Sequence, residues 1–525
     1  MAAERVIGRR GAAASVHPLV TQTALDVLKR GGNAVDAAVA AAAVLLLVEP
    51  RNGHLGGDAF LLIQQPSGEV IALNGSGAAP LAATRERYAA LGGIPERGLL
   101  ASTVPGAVDC WSHAVQRFGT KPLGELLQTA IGYAEEGVPV TPRMRYFLAQ
   151  DAPIYRECPA AAAVFLRDGE APPVGALLRQ AGAARTLRAI ARDGRDAFYR
   201  GPVARAMVTA SHALGGLFTE EDFAAHRTQE REPLRIDYRG YTVLEQPPVS
   251  QGIIVLLALR ILEHVDLASF GAHSAPAIHY VVEAIQLAYE DALRDLGDPA
   301  FARVDLARLL SSEHAREQAQ RIDPRRATAR CAPQVIQPDT TFMAVADGQG
   351  TMVSYIHSLY NGSGIVLGET GVLMNSRLRG FTLEPGHPNC LEPGKRPLHT
   401  LNQYGVQRDG RPILAGGTPG AQWQVQTNVQ MLTNVLCFGM DVEQAIHAPR
   451  FVIGSPFSAD DLTVRIEDRV APGVIEELRA MGHEVETMGP WAQTGGVQLV
   501  ARDPESGTLT AVAEPRRPGA CALAY

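Results

Sequence analysis

The chain has 525 residues, 46% of them hydrophobic, and a formal net charge of −7. That apolar content supplies a large core, and the length allows two to four domains. The mild negative charge, with Lys and Arg scattered rather than clustered, argues against a nucleic-acid partner. Six cysteines (Cys110, Cys158, Cys331, Cys390, Cys437, Cys521) lie far apart with no CxxC spacing. They indicate neither a zinc site nor a disulfide framework, and isolated buried thiols are expected.

Residues 1–10 carry no apolar core of a secretory signal. The longest apolar run, 37–48, is too short to span a bilayer and reads as a buried helix. A cytoplasmic protein with no membrane partner is expected, so the sequon Asn361-Gly362-Ser363 has no secretory context. Val20, Ala24, Val27 and Leu28 repeat at helical spacing, and Gly31-Gly32 ends that helix. Asn33, with Asp36 three residues on, caps the next helix. The glycine-rich loop 52–58 then leads to a strand over 59–63, and a second strand is expected over 70–73. Neither this loop nor the loop 74–80 completes a phosphate-binding pattern. Residues 81–235 read as mostly helical, 238–244 as a strand, 253–262 and 278–296 as helices. The stretch 311–339, with Pro324, Pro333 and Pro338, reads as irregular, exposed chain. No internal repeat is found.

From Thr340 the pattern changes. Two β-branched, apolar runs flank Asp347-Gly348-Gln349-Gly350, which reads as a hairpin with Thr340 at the first step. A hydroxyl there is ordinarily satisfied by nearby backbone. Further on, a short strand at 413–417 enters the turn Gly417-Thr418-Pro419-Gly420, a helix follows over 426–438, and strands are expected at 497–500 and 509–512.

The motifs after the hairpin are His357-Ser358-Leu359-Tyr360, Asn361-Gly362-Ser363-Gly364, His387-Pro388-Asn389, Pro393-Gly394-Lys395-Arg396-Pro397 and Gly417-Thr418-Pro419-Gly420. In this order they resemble the small subunit of the γ-glutamyltranspeptidase family, and 31–40 with 55–63 resemble the opening of its large subunit. The resemblance implies an α+β fold, the four-layer αββα sandwich of N-terminal-nucleophile (Ntn) hydrolases with two central antiparallel sheets. It implies self-cleavage between Asp339 and Thr340, giving a large subunit 1–339 and a small subunit 340–525 held as one unit. Thr340 becomes the nucleophile. Its freed α-amine, titrating near about pH 8, supplies the base that a threonine hydroxyl needs.

By the same resemblance Gly420 and Ala421 match the Gly-Gly pair whose N–H groups stabilise the oxyanion, with Ala421 departing from glycine. Ser358 stands where the family commonly has a threonine whose hydroxyl orients the α-amine. Tyr360, His399 and Thr400 stand at substrate-contacting positions, and His399 alone reads as structural. Two charged handles of the transpeptidases are absent: the arginine for the α-carboxylate, which falls in the loop before Pro80 where Gly75-Ser76-Gly77-Ala78-Ala79 has none, and the aspartate for the α-ammonium, where this chain has Gly380. A γ-glutamyl zwitterion would be buried with unpaired charges, at a cost of several kcal/mol. Ser358-Leu359-Tyr360, Arg377 and the segment 394–401 are closer to the oxamate amidohydrolase-like branch. Arg377 is the candidate carboxylate fork, with a surface arginine as the alternative and Arg51 as a substitute cation. The expected activity is hydrolysis of an amide bearing a small carboxylate, through an acyl-enzyme, with no cofactor or metal. A γ-glutamyl transferase, a biosynthetic enzyme acting on an unusual bond such as C–C, and a non-catalytic binding protein are the alternatives.

Overall fold

A computed structural model describes residues 5–328, 330, 339–454, 461–493 and 495–525. Two seven-stranded antiparallel sheets lie at its centre. The first runs in the order Cys521–Ala524, Gly11–Ser15, Asp339–Asp347, Met352–Tyr360, Asp58–Gln64, Val70–Gly75, Gln229–Arg231. The second runs Val6–Gly8, Leu509–Ala513, Gln498–Arg502, Arg411–Gly417, Gln403–Arg408, Tyr241–Glu245, Leu234–Tyr238. Each sheet is covered by helices on its outer face. Three apolar clusters therefore alternate with the layers, as a sheet buried on both faces requires.

The helix Ala34–Val48 shows why one layer forms where it does. Asn33 accepts from the backbone of Val35 and Asp36, and Asp36 returns the bond to the Asn33 N–H. This capping box satisfies the orphan donors of the first turn. Every residue of the helix is buried, against the first sheet. On the other side, Gly252–Glu263, Ala275–Asp295 and Trp423–Leu436 cover the second sheet. Between the sheets lies a thinner cluster including Phe60, Phe342, Ile356, Leu401, Ala415 and Val500.

Strand parity then decides the site. In Asp339–Asp347 the even residues Phe342, Ala344 and Ala346 face the second sheet, while Met343 and Val345 face the helices. Because side chains alternate along a strand, Thr340 shares the inter-sheet face.

The expected four-layer α+β architecture is present, and three local expectations change. Residues 238–244 are two strands, because Arg239 and Gly240, with φ of 55° and 84°, turn the chain into a hairpin. The supposedly irregular 311–339 contains the helix Ser312–Gln320, capped by the Ser311 side chain. Cys110, Cys158 and Cys390 are buried free thiols as expected, but Cys437 and Cys521 are only half-buried. Cys331, Pro333 and Pro338 lie outside the described residues. Among the described residues no helix is long and apolar enough to cross a membrane.

Candidate active site

Thr340, Ser358 and Asp58 form one row across three neighbouring strands, since Thr340 pairs with Ser358 and Ser358 with Asp58. Asp58 shares its strand face with Phe60 and Ser358 with Ile356, both members of the inter-sheet cluster. The row thus marks the mouth of the inter-sheet layer, where apolar filling gives way to polar groups. The register slips between Asp339 and Thr340, an irregularity of the kind that re-aims side chains beside functional sites.

Thr340 is only 3% exposed, and its hydroxyl donates to Ser358 Oγ at 3.1 Å. Ser358 Oγ also accepts from the Tyr360 N–H at 2.9 Å. Tyr360 adopts φ 67° at the strand end, a left-handed conformation that costs a non-glycine residue about 1 kcal/mol or more. In this conformation its ring lies 4.6 Å from the Arg377 guanidinium carbon.

Arg377 is fully buried, so the surface alternative is excluded. Its Nε donates to Asp58 Oδ2 at 3.1 Å and its Nη1 to Thr400 Oγ1 at 3.3 Å. Nη2 is buried and has no partner among the described residues. Asp58 also receives the Gly77 N–H on Oδ1 at 2.9 Å and His399 Nε2 on Oδ2 at 3.1 Å. Burial pushes the Asp58 carboxyl up, but His399, Arg377 and Gly77 together outweigh it, and its pKa lies below the usual carboxylate value. His399 moves the other way: burial first, then the Arg377 charge, lower it to about 4 against the pull of Asp58. Near neutral pH His399 is therefore a neutral imidazole, donating from Nε2 and accepting the Leu401 N–H on Nδ1 at 3.4 Å. Packed 4.7 Å from Phe60, it braces Asp58 and also borders the cavity described below.

The second sheet contributes the turn after Arg411–Gly417. Gly420 and Ala421 have φ of 140° and 50°, and this pair of positive φ values turns the strand into the helix Trp423–Leu436. Neither of their N–H groups has an acceptor among the described residues. Gln251 Nε2 donates to both the Ala421 and Thr400 carbonyls. One buried side chain thus ties the turn to the Arg377 cluster. Ala421 sits where glycine would be unstrained, so the exchange of glycine for alanine costs more than its retained N–H suggests.

A cavity of about 240 Å³ opens beside these groups, with Tyr289, Tyr360, Arg379, Phe381, Leu398 and Thr400 in its wall. Its walls mix apolar side chains such as Ile254, Leu293 and Leu398 with polar ones such as Gln251, His387, Asn389 and His399, and Arg379 carries the charge. Tyr289 is fixed there by its hydroxyl, which donates to Gln422 O at 2.6 Å. A larger groove of about 670 Å³ beside Thr84, Phe301 and Lys395 includes none of the residues in the Thr340 cluster.

The eight sequence-predicted positions therefore gather at one end of the inter-sheet layer, around Asp58 and Gln251. Arg51 does not join them as a substitute cation: it pairs with Asp151 at 3.4 Å, donates to Gln150 at 3.2 Å and stacks on Phe147 at 4.8 Å. Sequence reasoning missed Asp58, Gln251, Tyr289 and Arg379. Asp58 carried a signal, a charge heading an otherwise apolar strand; Gln251 and Tyr289 carried none. At Gly380 a Cβ would lie 2.6 Å from the Leu398 carbonyl and 3.0 Å from Pro397. The missing aspartate thus has no room without a backbone shift.

Comparison with known proteins identifies the family. The family model described as gamma-glutamyltranspeptidase matches residues 20–524. The chain is 38% identical to the glutathione hydrolase-like YwrD proenzyme of Bacillus subtilis, covering 98% of each. It is 36% identical to the oxamate amidohydrolase proenzyme of Klebsiella pneumoniae, covering 98% of this chain and 99% of that one. The structure of the cephalosporin acylase from Bacillus halodurans superposes with a TM-score of 0.93 at 34% identity, over 99% of this chain and 97% of that one. The chain belongs to the γ-glutamyltranspeptidase family of Ntn hydrolases.

Proposed function

We propose that the chain is a self-processing amidohydrolase in which Thr340 is the nucleophile, acting on amides of carboxylate-bearing acids. In the precursor the Thr340 hydroxyl attacks the Asp339 carbonyl carbon. The C–N bond breaks as the ester forms, and the hydroxyl proton goes to the leaving α-amine. Water then hydrolyses the ester, leaving subunits 1–339 and 340–525 and a free amine on Thr340. In the mature enzyme that amine takes the hydroxyl proton as Thr340 attacks the substrate carbonyl, and returns it to the leaving amine. Water releases the acid from the acyl-enzyme. Ser358 holds the hydroxyl, and the Gly420 and Ala421 N–H groups receive the oxyanion; one such donor contributes roughly 3 kcal/mol to the barrier.

The observation that carries the reading is the row Thr340–Ser358–Asp58, joined through Tyr360 and His399 to a cavity whose wall holds one guanidinium among polar and apolar side chains. Arg379 on the wall suits a carboxylate. Phe381, Leu293 and Leu398 suit an apolar body. The absence of an acidic group at position 380, where none fits, disfavours an α-ammonium. The names of two relatives, an oxamate amidohydrolase and a cephalosporin acylase, point to the same bond type.

A denaturing gel with N-terminal sequencing tests the nucleophile: two fragments are expected, the smaller beginning at Thr340, and Thr340→Ala stays intact and inactive. A chain that remains whole when pure sinks this reading. Among substrates, oxamate-type and apolar dicarboxylic monoamides should turn over faster than γ-glutamyl anilides; the reverse order, with transfer to dipeptides, would replace the substrate assignment by γ-glutamyl transfer.

A further inference from the structure

Thr418 lies between the strand Arg411–Gly417 and the two N–H groups proposed to receive the oxyanion, and it is fully buried. At Gly417 a Cβ would lie 2.7 Å from the Phe342 ring. The strand therefore ends over the face of Asp339–Asp347 that Thr340 shares. The Thr418 hydroxyl makes two bonds: Oγ1 accepts the Gly496 N–H at 3.0 Å and donates to the Pro419 carbonyl at 2.8 Å. A backbone N–H only donates and a carbonyl only accepts, so the hydroxyl proton belongs to Pro419 O.

The Pro419 carbonyl is part of the peptide unit that carries the Gly420 N–H. That unit is planar and trans, so the two groups point in opposite directions. A bond that fixes the carbonyl fixes the aim of the N–H. It also polarises the unit, which makes the N–H a better donor. The next unit is held in the same way: the Gly420 carbonyl, in one plane with the Ala421 N–H, accepts the Trp423 N–H at 2.9 Å. Both N–H groups thus have their own carbonyls bonded, while neither has an acceptor among the described residues. The second clamp is backbone, but the first depends on one side chain.

The partner of Thr418 is itself firmly seated. A Cβ at Gly496 would lie 2.9 Å from Pro419 Cγ and 3.0 Å from Arg517 Nη1, so glycine there lets the segment approach the hydroxyl. The next residue, Val497, donates its N–H to Glu514 Oε2 at 3.1 Å, and the same oxygen accepts Arg450 Nη1 at 2.6 Å. A buried ion pair therefore backs the segment against which the hydroxyl is set.

We propose that Thr418 is a positioning residue: by bonding the Pro419 carbonyl it aims the Gly420 N–H at the oxyanion formed when Thr340 attacks. This rests on the nucleophile reading above. An oxyanion forms in both acylation and deacylation, so losing the aim slows both steps and leaves KM nearly unchanged. Removing a whole donor of this kind lowers kcat by about 10²–10³, and a donor that is kept but misaimed loses part of that, at least about tenfold.

Hydrolysis of glutaric acid mono-p-nitroanilide is compared for fully processed wild type, Thr418→Ser, Thr418→Cys and Thr418→Val. Serine keeps the hydroxyl and should hold kcat within about threefold of the wild type. Valine keeps the shape of threonine without a donor, and its kcat should fall about tenfold or more. Cysteine has the shape of serine with a weak donor, and its kcat should lie clearly below that of serine. KM should stay within about threefold throughout, as expected for an interaction made only in the transition state. A cysteine variant as fast as the serine one, a valine variant as fast as the wild type, or losses confined to KM would each overturn the proposal. Serine and cysteine form a matched pair, so they decide the matter even where Thr418→Val fails to fold. A Thr340→Ala chain that hydrolyses the anilide as fast as the wild type would instead remove the nucleophile reading, and this proposal with it.

Discussion

Asp58 is the group whose removal the structure makes most consequential. Its carboxylate balances the buried Arg377 guanidinium at 3.1 Å, receives His399 Nε2 at 3.1 Å and holds the Gly77 N–H at 2.9 Å. Asn at this position keeps the shape and one acceptor but removes the charge. Arg377, fully buried and already short of one partner at Nη2, is then an uncompensated cation. Breaking a buried pair from one side destabilises by about 3–5 kcal/mol, whereas replacing both partners with apolar groups is close to neutral. Asp58→Asn, measured in the single-chain Thr340→Ala background by urea unfolding at pH 7, should therefore lose about 3–5 kcal/mol. Asp58→Asn combined with Arg377→Met should recover most of it. A loss below about 1 kcal/mol, or losses that simply add in the double variant, would refute the view that the pair is a coupled, desolvated unit.

Other consequences are open to direct measurement. Ser358→Ala removes the acceptor of the Thr340 hydroxyl and should slow both self-cleavage and turnover by tenfold or more, as a lost hydrogen bond of about 1.4 kcal/mol implies; unchanged rates in both assays would exclude the orienting role. Ala421→Gly relieves a residue held at φ 50° and should raise stability by up to about 1 kcal/mol, read as a higher urea midpoint. Acid should weaken the fold below pH 6.5. Burial holds His54 at about 3 and His226, His357 and His399 at about 4. The unfolded chain therefore takes up protons that the folded one refuses, which costs about 1 kcal/mol per histidine at pH 5.5. Asp58, whose pKa is lowered, keeps its contribution until the pH falls below the usual carboxylate range, so the histidines act in the window from about 4 to 6.5, opposed there by Glu245, whose carboxyl burial pushes up. A urea midpoint in the Thr340→Ala precursor that is flat between pH 7.5 and 5.5 would contradict these shifts.

What the sequence by itself determined is whatever lies within a few residues along the chain. The capping box Asn33–Asp36, the hairpin that starts at Thr340, the long helix carrying Tyr289, and the strand-to-helix turn at Gly420 are all local patterns. A local pattern also separates Thr340 from its neighbours, because strand parity alone sends it to the same face as Phe342. The exceptions were local too: Arg239-Gly240 broke an apparently continuous strand, and polar Ser312–Gln320 folded as a helix because its cap outweighed its lack of an apolar stripe.

The surroundings of the nucleophile could not be read in this way. Asp58 meets Arg377 across 319 residues of sequence and His399 across 341. No spacing rule covers such distances, because they are set by which strands share a sheet and how two sheets stack. Arg377 was legible as a cation but not as a buried one tied to an acid, and Arg379 gave no sign of being the guanidinium on the cavity wall. Gln251 looked like an ordinary polar residue just before an apolar helix. Only packing decided their roles: once a polar group is taken out of water it must find a partner, and the tertiary structure chooses that partner. For Thr340 the chain supplied the hydroxyl and its face of the strand. The two stacked sheets supplied Ser358, the turn at Gly420 and the charged floor beneath them.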